Sequence, residues 1–452
     1  MKKLITVLAL PLLLATSLFA KNQYKVYSFP SGYIVTAINS SGEVVGSLNN
    51  QPFVWTRSGG FQFLGDLGGG VYSCCVINDN GEVAGASHLP NGIIHVFLWT
   101  ASTGMQDLGS ILGGQSDAAS INNNGEIAGD SSTPDGIVSH AFFWSQATGS
   151  IDIGPLNGYS SSQSTALNDT GEIAGTEGTQ IGPTSPFRWT LATGIQALPG
   201  LGGNSNFPLA INDQGQIAGI SSIASQAWHA AFWPPDGSIQ DLGTLAGDSS
   251  SRALHINASG HVAGDSWGAN TSIFFWTPEN GMLDIGTIAT PHTSLGGLNN
   301  RDQIVGNDAG DAKGGGIYLW SPTLGLQKIG TASVPTALND AGQFLARKNF
   351  DYLLFTPIMN VTLTSSPNPS VKGQSVTFTA SVSAIVGLPP DGEQIAFYDG
   401  SKLLGSGTLT SGVATFTTST LSAGTHSILD SYAGDTNYEP NKSSRLKQLV
   451  NQ

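Results

Sequence analysis

Charge is the first thing this chain is short of. Asp, Glu, Lys and Arg make up 11% of its 452 residues, against about 25% in an average soluble domain. Basic residues are the scarcer kind, 17 against 31 acidic ones, for a net charge of −14. That balance disfavours a phosphate backbone, so no nucleic-acid partner is expected. Cysteine is nearly absent: Cys74 and Cys75 are the two present, which excludes a disulfide framework. Adjacent Cα atoms sit about 3.8 Å apart, closer than an ordinary disulfide allows. The pair is therefore either two small buried residues or a strained vicinal disulfide. Beyond Leu4–Leu14 there is no long apolar run, so no membrane-spanning segment is expected in the mature chain. Phosphate loops and His-Glu-x-x-His are also missing, and no catalytic residue, metal ligand or cofactor is assigned.

What the chain has is glycine, 59 residues of it, and a repeat. The stretch Ile121-Asn122-Asn123-Asn124-Gly125-Glu126-Ile127-Ala128-Gly129 returns with its Asn at 39, 78, 122, 168, 212, 257, 299 and 339. The period, roughly 40–46 residues, decides the fold before any local signal does. Asn followed three residues later by Gly is a hairpin turn: Asn bonds its own backbone, and Gly takes a positive φ before the next strand. A block such as Phe142-Phe143-Trp144-Ser145 follows each hairpin, with Trp at 55, 99, 144, 189, 233, 276 and 320, and Phe355 in the eighth repeat. After a further Gly comes a block such as Met105-Gln106-Asp107-Leu108.

Each period thus holds four short strands and no helix. The third strand is apolar on both faces, which suits a sheet covered on both sides. Four-stranded units repeated with both faces buried describe the blades of a β-propeller. Tyr24–Phe29 reads as a surplus fourth-type strand, while the last repeat stops after its third strand at Leu353-Leu354-Phe355. Pairing the two closes the ring and hides both edges. The expected fold is all-β: an eight-bladed propeller, or a seven-bladed one if a unit is degenerate, over residues 21–356.

These residues resemble the HAF-repeat family of bacterial extracellular proteins. His140-Ala141-Phe142 is the name-giving triplet, His95-Val96-Phe97 and His229-Ala230-Ala231-Phe232 are near copies, and Asn-x-x-Gly-Glu-Ile-Ala-Gly is the family's other mark. The resemblance implies an exported repeat protein and carries no common reaction.

Residues 1–20 read as a secretory signal peptide: Lys2 and Lys3, the apolar run Leu4–Leu14, then Ala20 as the cleavage point. Residues 357–360 read as a linker. From Val361 to Gln452 short alternating strands, such as Ser375–Val382 and His426–Tyr432, suggest an immunoglobulin-like sandwich. Phe397-Tyr398-Asp399-Gly400 and Tyr432-Ala433-Gly434-Asp435-Thr436-Asn437-Tyr438 resemble bacterial Ig-like domains, which implies a spacer or adhesion module.

Repeated residues read as structural first. Glu43, Glu82, Glu126 and Glu172 share one hairpin position and read as solvated strand starts. His95, His140 and His229 stand four residues before their Trp and read as hydrogen-bonding within their own sheet. Trp228 and Trp267 break the pattern, lying between the second and third strands of the fifth and sixth repeats. Loops such as Ser131–Gly136, Thr176–Pro183 and Asp308–Gly315 vary, and variable loops on a repeated scaffold are where recognition sits. The two rings are candidate ligand-binding residues for a sugar or a protein surface; the alternative is that they pack on their own loops. The expected function is a secreted or cell-surface, non-enzymatic binding or adhesion protein with a carbohydrate or protein ligand. The alternatives are a polysaccharide-acting lyase or hydrolase on the same face, and a purely structural envelope protein.

Overall fold

The computed structural model describes residues 23–156, 159–178, 182–288, 294–308, 315–331 and 333–452. The segment 1–20 read as a signal peptide lies outside them, as do parts of two of the variable loops, 179–181 and 309–314. The described residues contain no helix. The repeats form eight four-stranded antiparallel sheets, and the architecture is that of a β-propeller. In each sheet the strands lie in chain order, the first pairing the second, the second the third, the third the fourth. First strands of neighbouring repeats touch one another all the way round, so they form the inner edge. The exception proves the closure: the last sheet runs Tyr24–Phe29, Asp351–Pro357, Phe344–Lys348, Val334–Leu338. Tyr24 pairs with Pro357 and Phe29 with Tyr352, as the surplus and missing strands require.

Core formation follows from the third strand. In the third repeat Phe142, Phe143 and Trp144 are all buried and belong to two different clusters. Phe142 and Trp144 pack with Val96 and Leu98 of the preceding repeat, and Phe143 packs with Phe187 and Trp189 of the next. Alternate side chains of one strand thus fill two inter-sheet layers, which is why the strand tolerates no polar face. The two repeated glycines have different causes. The first takes a positive φ, as at Gly125 with φ 73°. The second is there for space: a Cβ at Gly129 would stand 2.1 Å from the Asp117 carbonyl and 2.7 Å from the Phe142 ring. Each first strand also carries a bulge at one position, for instance between Ala118 and Ser120 and between Ser164 and Ala166. In the second repeat that bulge holds Cys74 and Cys75, joined as a vicinal disulfide across a cis peptide bond.

The eight repeat Asn residues do more than turn the chain. All are buried. Each Asn Oδ1 accepts backbone N–H groups of its own hairpin, as from Glu126 at 2.9 Å. Each Nδ2 donates to the backbone carbonyl of the Asn in the next repeat. The bonds run 39 to 78, 78 to 122, 122 to 168, 168 to 212, 212 to 257, 257 to 299, 299 to 339 and 339 back to 39, at 2.8–3.1 Å. The circle is complete and one-directional. Two arcs of further bonds run beside it: backbone N–H groups of Ser40, Asp79, Asn123 and Asp169 donate to the side chains of Asp79, Asn123, Asp169 and Asp213, and those of Ala258 and Asn300 to Asn300 and Asp340. Ala258 has no acceptor to offer Asp213 at that position. The Glu residues expected to be solvated are half-buried, and their carboxylates take the other Nδ2 hydrogen, as Glu126 does from Asn122 at 2.7 Å. A buried amide needs both donors satisfied, and the acidic position supplies the second acceptor.

The tail forms a sandwich of a three-stranded sheet, Asn360–Ser366, Val376–Ser383 and Val413–Thr418, against a larger one built around Gly424–Tyr432. It docks on the hairpin face of sheets one, seven and eight. Arg57 forms an ion pair with Glu439 at 2.9 Å and also donates to the Asp435 carbonyl. Tyr27 donates to Glu439 at 2.7 Å, and Arg301 to the Val386 carbonyl at 2.8 Å. Leu319 and Ala341 of the repeats join the tail's own core. Ile358 bonds the Gln23 carbonyl at 2.7 Å, and Met359 is fully buried.

Two outcomes check this account. Asn122→Ala should cost ~1–3 kcal/mol, because it leaves the Asn168 carbonyl with only the Gly171 N–H and strips the Asn124 and Glu126 N–H groups of their acceptor; denaturant titration measures it. Deleting residues 21–30 exposes two sheet edges and should remove solubility or cut the melting temperature sharply. An unchanged melting curve would exclude the closure.

Candidate functional site

The second-to-third and fourth-to-first connections open on the face opposite the hairpins and the docked tail. Trp228 and Trp267 sit there, at strand ends and not in loops as the sequence suggests. Trp228 opens the third strand of repeat five, Trp228–Trp233, and Trp267 closes the second strand of repeat six, Val262–Trp267. The strands run one residue further than the turn chemistry indicates, because each Trp keeps a cross-strand partner, Ser222 and Thr271. The rings meet edge to face, centroids 6.4 Å apart and planes at 87°. Trp228 is 38% exposed, whereas the repeat ring Trp144 is 7% exposed.

Two residues the sequence reading passed over complete the patch. Arg252 on the first strand of repeat six is the Cα partner of Asp265 on the second. Its Nε and Nη2 donate to the two Asp265 oxygens at 2.9 and 2.5 Å. The guanidinium carbon stands 5.3 Å from the Trp267 ring centroid, a cation–π arrangement. Arg252, Asp265, Trp267 and the turn Gly268–Thr271 line an open cavity of about 320 Å³. The signal for Asp265 was present: Asp follows the second repeat Gly in only two repeats, at Asp130 and Asp265.

At the same register in repeat three the partner is not a cation. Asp117 is the Cα partner of Asp130. Asp117 accepts the Ser73 hydroxyl at 2.5 Å, and Asp130 the Ser164 N–H at 2.8 Å. Burial raises the Asp130 carboxyl to about 7; the Ser164 bonds lower it and Asp117 adds a smaller like-charge push upward. Asp117 is raised too, chiefly by burial.

The His residues pair within their sheets as expected. His95, His140 and His229 Nδ1 lie 2.8, 3.0 and 2.9 Å from Asp107, Asp152 and Asp241. Among the described residues no group of three or more His, Cys, Asp or Glu is placed to hold a metal ion, and no helix is long and apolar enough to cross a membrane.

Residues 363–451 match the family model for a bacterial Ig-like domain (group 3), and no curated protein matches the chain. Similar solved structures include three with propellers or extracellular domains. Dipeptidyl peptidase 4 of Porphyromonas gingivalis is 11% identical, with a TM-score of 0.45 over 85% of this chain and 60% of that one. The β-propeller domain of the trilobed protease of Pyrococcus furiosus is 9% identical, with a TM-score of 0.43 over 66% and 97%. The extracellular domain of a one-component system from B. thetaiotaomicron is 10% identical, with a TM-score of 0.37 over 95% and 72%. At these scores the likenesses carry no argument about function.

A folded-state value raised above the unfolded one means that Asp130 stabilises the fold least when ionised. Its contribution is full below about pH 4 and is lost as pH rises towards 7. Asp130→Asn should therefore melt higher than the parent at pH 8, and the gap should close at pH 4. Parallel melts across that range check it.

Proposed function

We propose that this is an exported binding protein: an eight-bladed propeller of HAF-type repeats over residues 21–356, joined through 357–360 to an Ig-like module over 361–452, with residues 1–20 as its leader. The propeller face opposite the tail binds a carbohydrate or a protein surface. One observation carries the reading: two Trp rings from neighbouring sheets meet on that face beside the Arg252–Asp265 pair. Apolar rings flanked by fixed polar groups are the usual makings of a recognition site. The tail docks on the hairpin side, so it leaves this face clear and suits a presenting role in a secreted or surface protein.

A second reading, a polysaccharide-acting enzyme, is favoured by Asp117 and Asp130. They are two carboxyls on one cross-strand pair at the inner edge of the same face, one of them held protonated near neutrality. A raised acid beside a second carboxylate is the pairing that glycosidic cleavage uses.

A glycan array on residues 21–452 tests the first reading. Trp228→Ala with Trp267→Ala should abolish binding of whatever the parent retains, at a stability cost of ~1–2 kcal/mol. Trp144→Ala should cost ~3–5 kcal/mol and, while folded, still bind. Equal binding by the double variant moves the site elsewhere. Reducing-end release from the bound glycan, lost in Asp130→Asn, would establish the enzyme instead.

A further inference from the structure

We propose that the patch takes an acidic saccharide, and that Arg252 reads its carboxylate; this rests on the binding function proposed above and names its ligand class. Asp265 is 4% exposed, and each of its oxygens already accepts a guanidinium N–H. It therefore has little acceptor capacity to give a ligand. A guanidinium has five N–H groups in a fixed fork, of which this pair engages two, so three donors remain. Asn270 and Thr271 on the cavity wall add amide and hydroxyl groups. The lining is thus rich in donors and poor in free carboxylate, which favours a ligand that brings acceptor oxygens. A carboxylate matches a guanidinium fork in shape as well as charge.

The aromatic side decides between a saccharide and a simple anion. Arg252 covers one face of the Trp267 ring, and Trp228, at right angles to that ring, is partly open to solvent. A uronic acid offers both features in one residue: a C–H face for the exposed ring and a carboxylate at its edge for Arg252. A second acid, Asp248, stands at the turn, its Oδ1 2.9 Å from where a Gly268 Cβ would stand, and its Oδ2 accepts the Ser266 hydroxyl at 2.7 Å. The chain's net charge of −14 opposes polyanions at long range, so the expected binding is of short chains.

The test is a calorimetric titration of residues 21–452 with short oligogalacturonate, oligoglucuronate and oligomannuronate, each beside its methyl ester. The free acid of at least one should bind roughly tenfold or more tighter than its ester, as loss of a charge-assisted bond implies. Arg252→Gln alone strands Asp265, so the variant for comparison is Arg252→Gln with Asp265→Asn, checked by its melt. It should bind acid and ester alike, while the Trp228→Ala, Trp267→Ala variant should bind neither. Equal binding of acid and ester by the parent, both lost in the double Trp variant, overturns the carboxylate assignment and leaves the Trp platform standing. No binding of any uronate, or binding that the double Trp variant keeps, overturns the assignment as well; in the latter case the platform falls with it.

Discussion

The hydrogen bond from one Asn side chain to the backbone of the next repeat is the constraint on which the rest depends. It ties each hairpin to its successor, and because the last returns to Asn39 no member has a free end. Each amide is spent in three directions: Oδ1 on its own turn, one Nδ2 hydrogen on the neighbour, the other on the acidic or amide residue four positions on or, for Asn257, on Asp302 of the next repeat. No other side chain of that size offers two donors and an acceptor in one plane. Asp would lose the donors, and Ser would lose reach and one hydrogen. The repeat keeps Asn for that reason and relaxes elsewhere, with Gln216, His261, Gln303 and Gln343 replacing Glu.

That constraint divides the molecule by face. The hairpin side is fixed by the closed circle of Asn bonds, by the two arcs beside it and by the docked sandwich, and its residues repeat. On the opposite side no closed circle joins the described residues; its recurring bonds, such as Ala141 N–H to Ser162 and Ala230 N–H to Ser251, link single pairs of repeats. There one register position holds Asp117 facing Asp130 in repeat three, and Arg252 facing Asp265 in repeat six. The same backbone thus supports a strained pair of acids and a satisfied ion pair, which is how a repeated scaffold acquires distinct chemistry at its rim without disturbing its core.

Most of the fold was legible because its causes are periodic. The strand count, the buried Trp positions and the pairing of Tyr24–Phe29 with the last repeat all follow from pattern and from the need to hide edges. The circle of Asn bonds was not legible, since a turn explains Asn well enough within one repeat, and the inter-repeat bond appears only when the repeats are set side by side. The vicinal disulfide was left open because its alternative, two small residues in Ala118 and Ala119 register, satisfied the same space. At the site, the two Trp rings stood out by breaking the period, whereas Arg252 did not. A single cation in an alternating strand reads as a solvent-facing residue, and its meaning depends on a partner thirteen residues away across the hairpin.

The pairing of Tyr24 with Pro357 also sets an order of events as the chain folds. Every other strand contact within the repeat sheets joins segments that are neighbours in sequence, so seven of these sheets need only local hairpins, which form early. The eighth cannot be finished until the residues around 351–357 are available. The opening strand must wait with an unpaired edge while all the intervening repeats assemble, and the ring stays open until then. The sandwich follows directly, and its contacts to Arg57 and Tyr27 fall across the junction between the last sheet and the first. The sandwich, made after the repeats, therefore latches down the strand that was made before them.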